Sequence, residues 1–179
     1  MATIQGAIPR DANGVPITTT GCEVYKSLNI DASNTTKQSP IFTVTGSVEV
    51  LGLWGIVTTA LSSNITAAFW QFNDQTATPD ISLATGTTLS SFAVGSLLTR
   101  KSLVSVALTG NNASAAAVVD PVAATAPGYF MPFALVQKTA GVLSQIEFVY
   151  TSTNTPATGV IKFGVRWLPL SEDGNVVAV

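Results

Sequence analysis

Over long stretches this chain alternates apolar and polar side chains with a period of two, a spacing that fits a strand with one buried face and does not fit a helix. From Ile41, residues Phe42, Val44, Gly46, Val48 and Val50 fall on one face and Thr43, Thr45, Ser47 and Glu49 on the other, which predicts a half-buried strand. Leu53 to Ala60 is apolar and β-branched. Ile65 to Phe72 sets Ile65, Ala67, Phe69 and Gln71 against Thr66, Ala68, Trp70 and Phe72, the pattern of a strand covered on both faces. Ser62, Ser63 and Asn64 supply a turn between the last two, so they read as a meander.

The C-terminal third repeats the pattern. In Val142 to Thr151, Ile146, Phe148 and Tyr150 oppose Gln145 and Glu147; in Val160 to Leu168, Ile161, Phe163, Val165 and Trp167 oppose Lys162, Gly164 and Arg166. With the turn-rich STNTPATG between them, a long-looped hairpin is expected, its wet face pairing Glu147 with Lys162 or Arg166. Leu97 to Leu108 predicts a further strand, and Tyr129 to Gln137 an edge or bulged one because Pro132 lacks an amide donor. The segment from Asn73 to Phe92 is turn-rich, with room for one short helix or strand. Residues 110–128 read as an exposed or assembly-dependent loop.

Many short strands, no heptads and no sustained helical period predict an all-β fold, an antiparallel β-sandwich of jelly-roll type spanning residues 41–179. Residues 1–40 are interrupted by Pro9, Gly14, Pro16 and Gly21 and predict an extended N-terminal arm. Ile8, Pro9, Arg10, Asp11, Val15, Pro16 and Ile17 are the residues expected to lie along a neighbour.

Composition narrows the chemistry. The 179 residues include no histidine and one cysteine, so neither a Ser-His-Asp triad, a Cys-His pair nor a histidine metal site is available. No catalytic, cofactor-binding or metal-binding residue is expected. Cys22 has no partner for an intrachain disulfide and is expected to be a small buried apolar residue. Only 10% of residues are charged, against about a quarter in ordinary soluble domains. A surface of Thr, Ser, Asn and Ala is cheaper to desolvate than one of Lys and Glu, so extensive coverage by partners is expected. The basic residues are scattered and the net charge is −2, which argues against nucleic-acid binding. The longest apolar stretch, Val48 to Leu61, is too short for a membrane-spanning helix. The N-terminus lacks the basic and apolar regions of a secretory signal, so synthesis in the cytoplasm of its producing cell is expected.

Asp74 and Asp80, and Glu172 beside Asp173, lack the ligand spacing of a calcium loop and are expected to be solvated turn acids. Arg100-Lys101 is expected to be a solvated bend, with a salt bridge to an acidic partner surface as the alternative. Phe42, Trp54, Phe69, Trp70, Phe148, Phe163 and Trp167 alternate within strands and are expected in the core or a subunit interface; an aromatic platform for sugar, built on Trp54 or Trp70, is the alternative. Three glycosylation sequons, beginning at Asn34, Asn64 and Asn112, are expected chance matches, and no phosphate-binding glycine loop is present.

Pro9-Arg10-Asp11-Ala12-Asn13-Gly14-Val15-Pro16-Ile17 resembles the openings of tailed-bacteriophage virion proteins. Val165-Arg166-Trp167-Leu168-Pro169-Leu170-Ser171 resembles the endings of short phage proteins encoded among head genes, and Phe42-Thr43-Val44-Thr45-Gly46 followed by Leu53-Trp54-Gly55-Ile56-Val57-Thr58-Thr59 is similar to their middle. Asn111 to Gly128 departs from that pattern. The resemblance implies a capsid decoration (cement) protein or head fibre component: a β-sandwich, commonly a homotrimer, on the head surface of the virion, with the major capsid protein and its own copies as partners. The competing expectation is a tail- or fibre-associated module that recognises a host glycan.

Overall fold

The computed structural model describes residues 21–74, 81–100, 107–113, 132–137, 139, 141–153 and 156–179. Eleven strands occur among them: β1 (Cys22–Asn29), β2 (Thr36–Thr45), β3 (Ser47–Thr59), β4 (Ile65–Asp74), β5 (Ile81–Ser82), β6 (Leu97–Thr99), β7 (Thr109–Asn111), β8 (Phe133–Val136), β9 (Ser144–Ser152), β10 (Val160–Pro169) and β11 (Asn175–Ala178). They form two antiparallel sheets, one ordered β1-β10-β3-β6-β7 with β8 also on β3, the other β11-β2-β9-β4-β5. The expected all-β sandwich is the observed fold.

The alternation from Phe42 to Val50 spans a corner, not one strand. Gly46 sits between β2 and β3 at φ 57°, and a Cβ there would stand 2.3 Å from Asp173 Oδ1. Only glycine meets both demands. Because the turn preserves the two-residue phase, Phe42 and Val44 from one sheet and Val48 and Val50 from the other are all fully buried. The sequence pattern is correct about which side chains point inward and silent about the sheet each belongs to.

Two irregularities then reset the phase. Between Arg166 and Trp167 the β10–β3 register slips, leaving Leu51 as the extra residue, so that Leu53 and Val57 replace Val48 and Val50 on the inner face. In β4 the register slips between Thr66 and Phe69, where Ala67 has φ 48°, and Ala68, Trp70 and Phe72 turn inward.

The core is where the sheets face each other. Phe148 and Phe163, from opposite sheets, have ring centroids 4.8 Å apart, and Trp70 lies 6.2 Å from each. Tyr150 stacks on Phe148 at 5.8 Å, and its hydroxyl donates to Asp31 Oδ1 at 3.1 Å, where Lys37 also donates. Together with Phe42 and Trp167, these are among the largest fully buried side chains. Cys22 is buried, as expected.

Two expectations are corrected. Residues 22–40 are not an arm: they form β1 and the first half of β2, and of the expected arm residues 1–20, with Ile8 to Ile17, lie outside the described residues. Pro40 is tolerated because it stands at a bulge next to Ile41, on a stretch of β2 that pairs with β9 alone, β11 reaching only Phe42 to Thr45. The C-terminal hairpin is also absent. β9 and β10 belong to different sheets, so Glu147 faces neither Lys162 nor Arg166. It is buried on β9, where its carboxyl accepts hydrogen bonds from Gln71 Nε2 at 2.6 Å and Asn73 Nδ2 at 3.0 Å.

Candidate interaction surface

Side chains that the core does not use collect on the outer face of the six-stranded sheet. Register aligns Tyr25 with Gly164 and Trp54 across β1, β10 and β3, and the next outward row is Ser27, Lys162 and Ile56. Strand alternation sends Glu23, Tyr25, Lys162, Arg166, Trp54 and Ile56 to this side, because Val24, Phe163, Val165, Leu53 and Val57 take the other.

Gly164 shapes the centre. The Trp54 indole lies over it so closely that a Cβ would stand 2.5 Å from Cε2 and Cζ2. Tyr25 meets Trp54 edge to face, with centroids 6.1 Å apart and planes at 76°. Lys162 Nζ lies 4.7 Å from the centroid of the Tyr25 ring. Tyr25 is 46% exposed and Ile56 41%, while Trp54 is half-buried. The result is a ledge of two aromatics and an isoleucine, carried on the most extensively paired strands of the sheet.

The charges beside the ledge are mutually occupied. Arg166 Nε donates to Glu23 Oε1 at 2.6 Å, and its Nη2 donates to the same oxygen. The Tyr25 hydroxyl donates to Glu23 Oε2 at 2.7 Å. The Tyr25 hydrogen bond, followed by that of Arg166, holds the Glu23 carboxyl below its ordinary range, and the same bond to Glu23 raises the Tyr25 hydroxyl above its own. The two rings and Ile56 offer faces on which a partner can stack and pack. Among the described residues no three His, Cys, Asp or Glu side chains gather to hold a metal ion.

The seven aromatics expected in the core divide. Phe42, Trp70, Phe148, Phe163 and Trp167 are buried; Trp54 and Phe69 are half-buried and turn outward. With Trp70 enclosed, it is not available to stack on a sugar. Two of the charged residues read as solvated are not: Asp74 is buried at the end of β4, and Arg100 is buried just beyond β6. Asp80 and Lys101 lie outside the described residues, and Glu172 and Asp173 are exposed. Glu23 and Tyr25 were hidden by reading residues 1–40 as an arm. The signal was present: Glu23, Tyr25 and Ser27 alternate with Val24 and Leu28, broken only by Lys26, whose ammonium reaches the carbonyl of Val179.

Compared with known proteins, the chain matches no family model, no curated protein and no solved structure.

Proposed function

We propose that the chain is a tailed-bacteriophage structural protein, a decoration (cement) protein that sits on the outer surface of the major capsid protein shell and stabilises the head. The observation that carries this reading is the Tyr25–Trp54–Ile56 ledge: an exposed apolar area running from the β1 edge across β10 to β3, suited to docking on another protein. Covering about 100 Å² of this apolar surface contributes roughly 2.5 kcal/mol.

One copy does not suffice for tight attachment. Three strands, β1, β10 and β3, about 4.8 Å apart and at least eight residues long, present a face of roughly 400 Å², short of the roughly 800 Å² per partner of a stable interface. A homotrimer placed on a threefold or quasi-threefold axis triples that face, and the second and third contacts then form at high effective concentration. The strand order supports the same reading. We read the runs β1-β10-β3-β6 and β2-β9-β4-β5 as a double-Greek-key jelly roll, a fold used by viral shells and lectins.

The test is co-sedimentation with assembled capsids that lack the protein, followed by heating. Saturable binding that raises the temperature of shell disruption, and that Trp54→Asp abolishes, is the expected outcome. Failure of the unaltered protein to sediment with shells would overturn the reading. The edge-to-face pair of Tyr25 and Trp54 favours one alternative, a tail- or fibre-associated module that stacks a host glycan on these rings; binding on a glycan array without binding to capsids would select it.

A further inference from the structure

At the margin where the two sheets part, a cavity of about 350 Å³ opens between β4–β5 on one side and, on the other, β8 and Arg100, which lies just beyond β6. Its size falls within the range of ligand pockets, about 300–1,000 Å³. Phe72, Leu83, Phe133 and Leu135 supply apolar walls, and Asp74 and Arg100 bring the only charges among its described lining.

Arg100 is 7% exposed and is held in place twice: its Nε donates to the Leu83 carbonyl at 2.7 Å, and its guanidinium carbon lies 3.9 Å from the centroid of the Phe133 ring. These contacts leave the terminal nitrogens of the fork without an acceptor among the described residues, and no carboxylate there lies within ion-pair distance of it. Asp74, on the opposite wall, has an interaction of its own. A guanidinium fixed in an apolar recess matches the geometry of a carboxylate, which accepts two parallel hydrogen bonds from it.

The strands at the mouth say what should carry that carboxylate. Among the described residues β5 pairs only with β4 and β8 only with β3, so beside the cavity each offers a strand edge with no partner among those residues. Ile81 and Val136 stand half exposed at the rim, at 48% and 50%. An extended peptide satisfies an open strand edge with its backbone while its alternate side chains enter the pocket; a free fatty or amino acid does not.

We propose that this cavity is a socket for an extended acidic peptide segment of a neighbouring protein subunit. A Glu or Asp side chain of that segment accepts hydrogen bonds from the Arg100 guanidinium, and the apolar side chain two residues along packs on Phe72, Leu83 and Leu135. The inference holds whatever the neighbour is, so it stands or falls separately from capsid binding.

The experiment uses the full chain and two synthetic capped peptides, Leu-Val-Glu-Val-Leu and its counterpart with Gln for Glu, monitored by amide chemical-shift changes. The expected result is that the acidic peptide binds at least tenfold more tightly than the amide and shifts residues of β5, β8 and the Arg100 neighbourhood. Arg100→Gln should erase the difference between the peptides. Val136→Glu, at an exposed rim position that leaves the buried contacts intact, should weaken the acidic peptide about tenfold, keep the melting temperature, and so serve even if the Arg100 variant does not fold. Equal binding of both peptides, no binding, shifts located elsewhere, or binding of octanoate in the absence of peptide binding would each overturn the proposal.

Discussion

Trp54 and Gly164 are a matched pair: the indole occupies the space where any other residue at position 164 would place its Cβ, 2.5 Å from Cε2 and Cζ2. Glycine normally weakens a strand interior, and an aromatic laid across it from the neighbouring strand restores the covered surface.

Gly164→Ala should therefore push the indole off its seat and separate it from Tyr25. Because Trp54 is half-buried and has solvent to move into, the loss of stability should be small, about 1 kcal/mol or less. Capsid binding should fall much further than stability. Urea unfolding measured beside co-sedimentation separates the two effects, and a variant that binds as well as the unaltered chain would remove the ledge from the interface.

Phe148→Ala should be far more damaging. Its ring touches Phe163, Trp70 and Tyr150 at the centre of the core, and truncation there leaves a cavity costing about 3–5 kcal/mol. Denaturant midpoints read this directly. A cost under about 1 kcal/mol would show that the two sheets do not pack through this cluster.

The same contrast shows what sequence can and cannot say about this fold. Period two correctly sorts Ile146, Phe148 and Tyr150 from Gln145 and Glu147, and Phe163 and Val165 from Lys162 and Arg166, because alternation is a local property of the extended chain. It carries no information on which sheet a strand joins. Hence residues 142–168 read as a hairpin although β9 and β10 lie in opposite sheets, and the pairing of Glu147 with Lys162 or Arg166 that a hairpin would bring does not form. Trp54 and Trp70 look alike in sequence, both large and both in alternating runs; a bulge at Leu51 and another at Ala67 decide that one faces out and the other in. Arg100 was unreadable for a related reason. Its burial depends on Phe133 and Leu83, neither adjacent in sequence.

Glu147→Leu tests the outer face of the five-stranded sheet. The substitution takes away the acceptor of the Gln71 and Asn73 amides in a buried setting, and should cost about 1–3 kcal/mol even though leucine is more apolar. Stability equal to or above that of the unaltered chain, measured by denaturant unfolding, would contradict the role given to this cluster.

Gly46→Ala should destabilise by about 2 kcal/mol or more, combining a positive φ with a Cβ set against the Asp173 carboxylate. Gly46→Ala combined with Asp173→Ala should recover the part due to the Asp173 carboxylate and leave the parts due to φ and to Ser171 Oγ, which would stand 2.6 Å from the same Cβ. Thermal melting of the single and double variants checks the division.

Acid should loosen the β1–β10 edge before the core. Glu23 titrates below its ordinary value of 4.5 in the folded chain, owing to Tyr25 and then Arg166, so the bonds contribute fully above that pH and are lost as pH falls through the lower folded value. Asp31, lowered first by the Lys37 hydrogen bond, follows the same sign. The groups are exposed, so the effect on global stability should be small. Carboxyl chemical shifts followed from pH 6 to pH 2, about the range in which acids titrate, should show both midpoints depressed; Arg166→Gln should move that of Glu23 upward. An unmoved Glu23 midpoint in that variant would contradict the pairing.

The most direct measurement is a cryo-electron microscopy reconstruction of the particle that carries this protein. Three copies on the outer shell at a threefold or quasi-threefold position, with Tyr25, Trp54 and Ile56 turned toward the major capsid protein, is the expected result. Density at the tail, or on the shell with that ledge facing solvent, would contradict it.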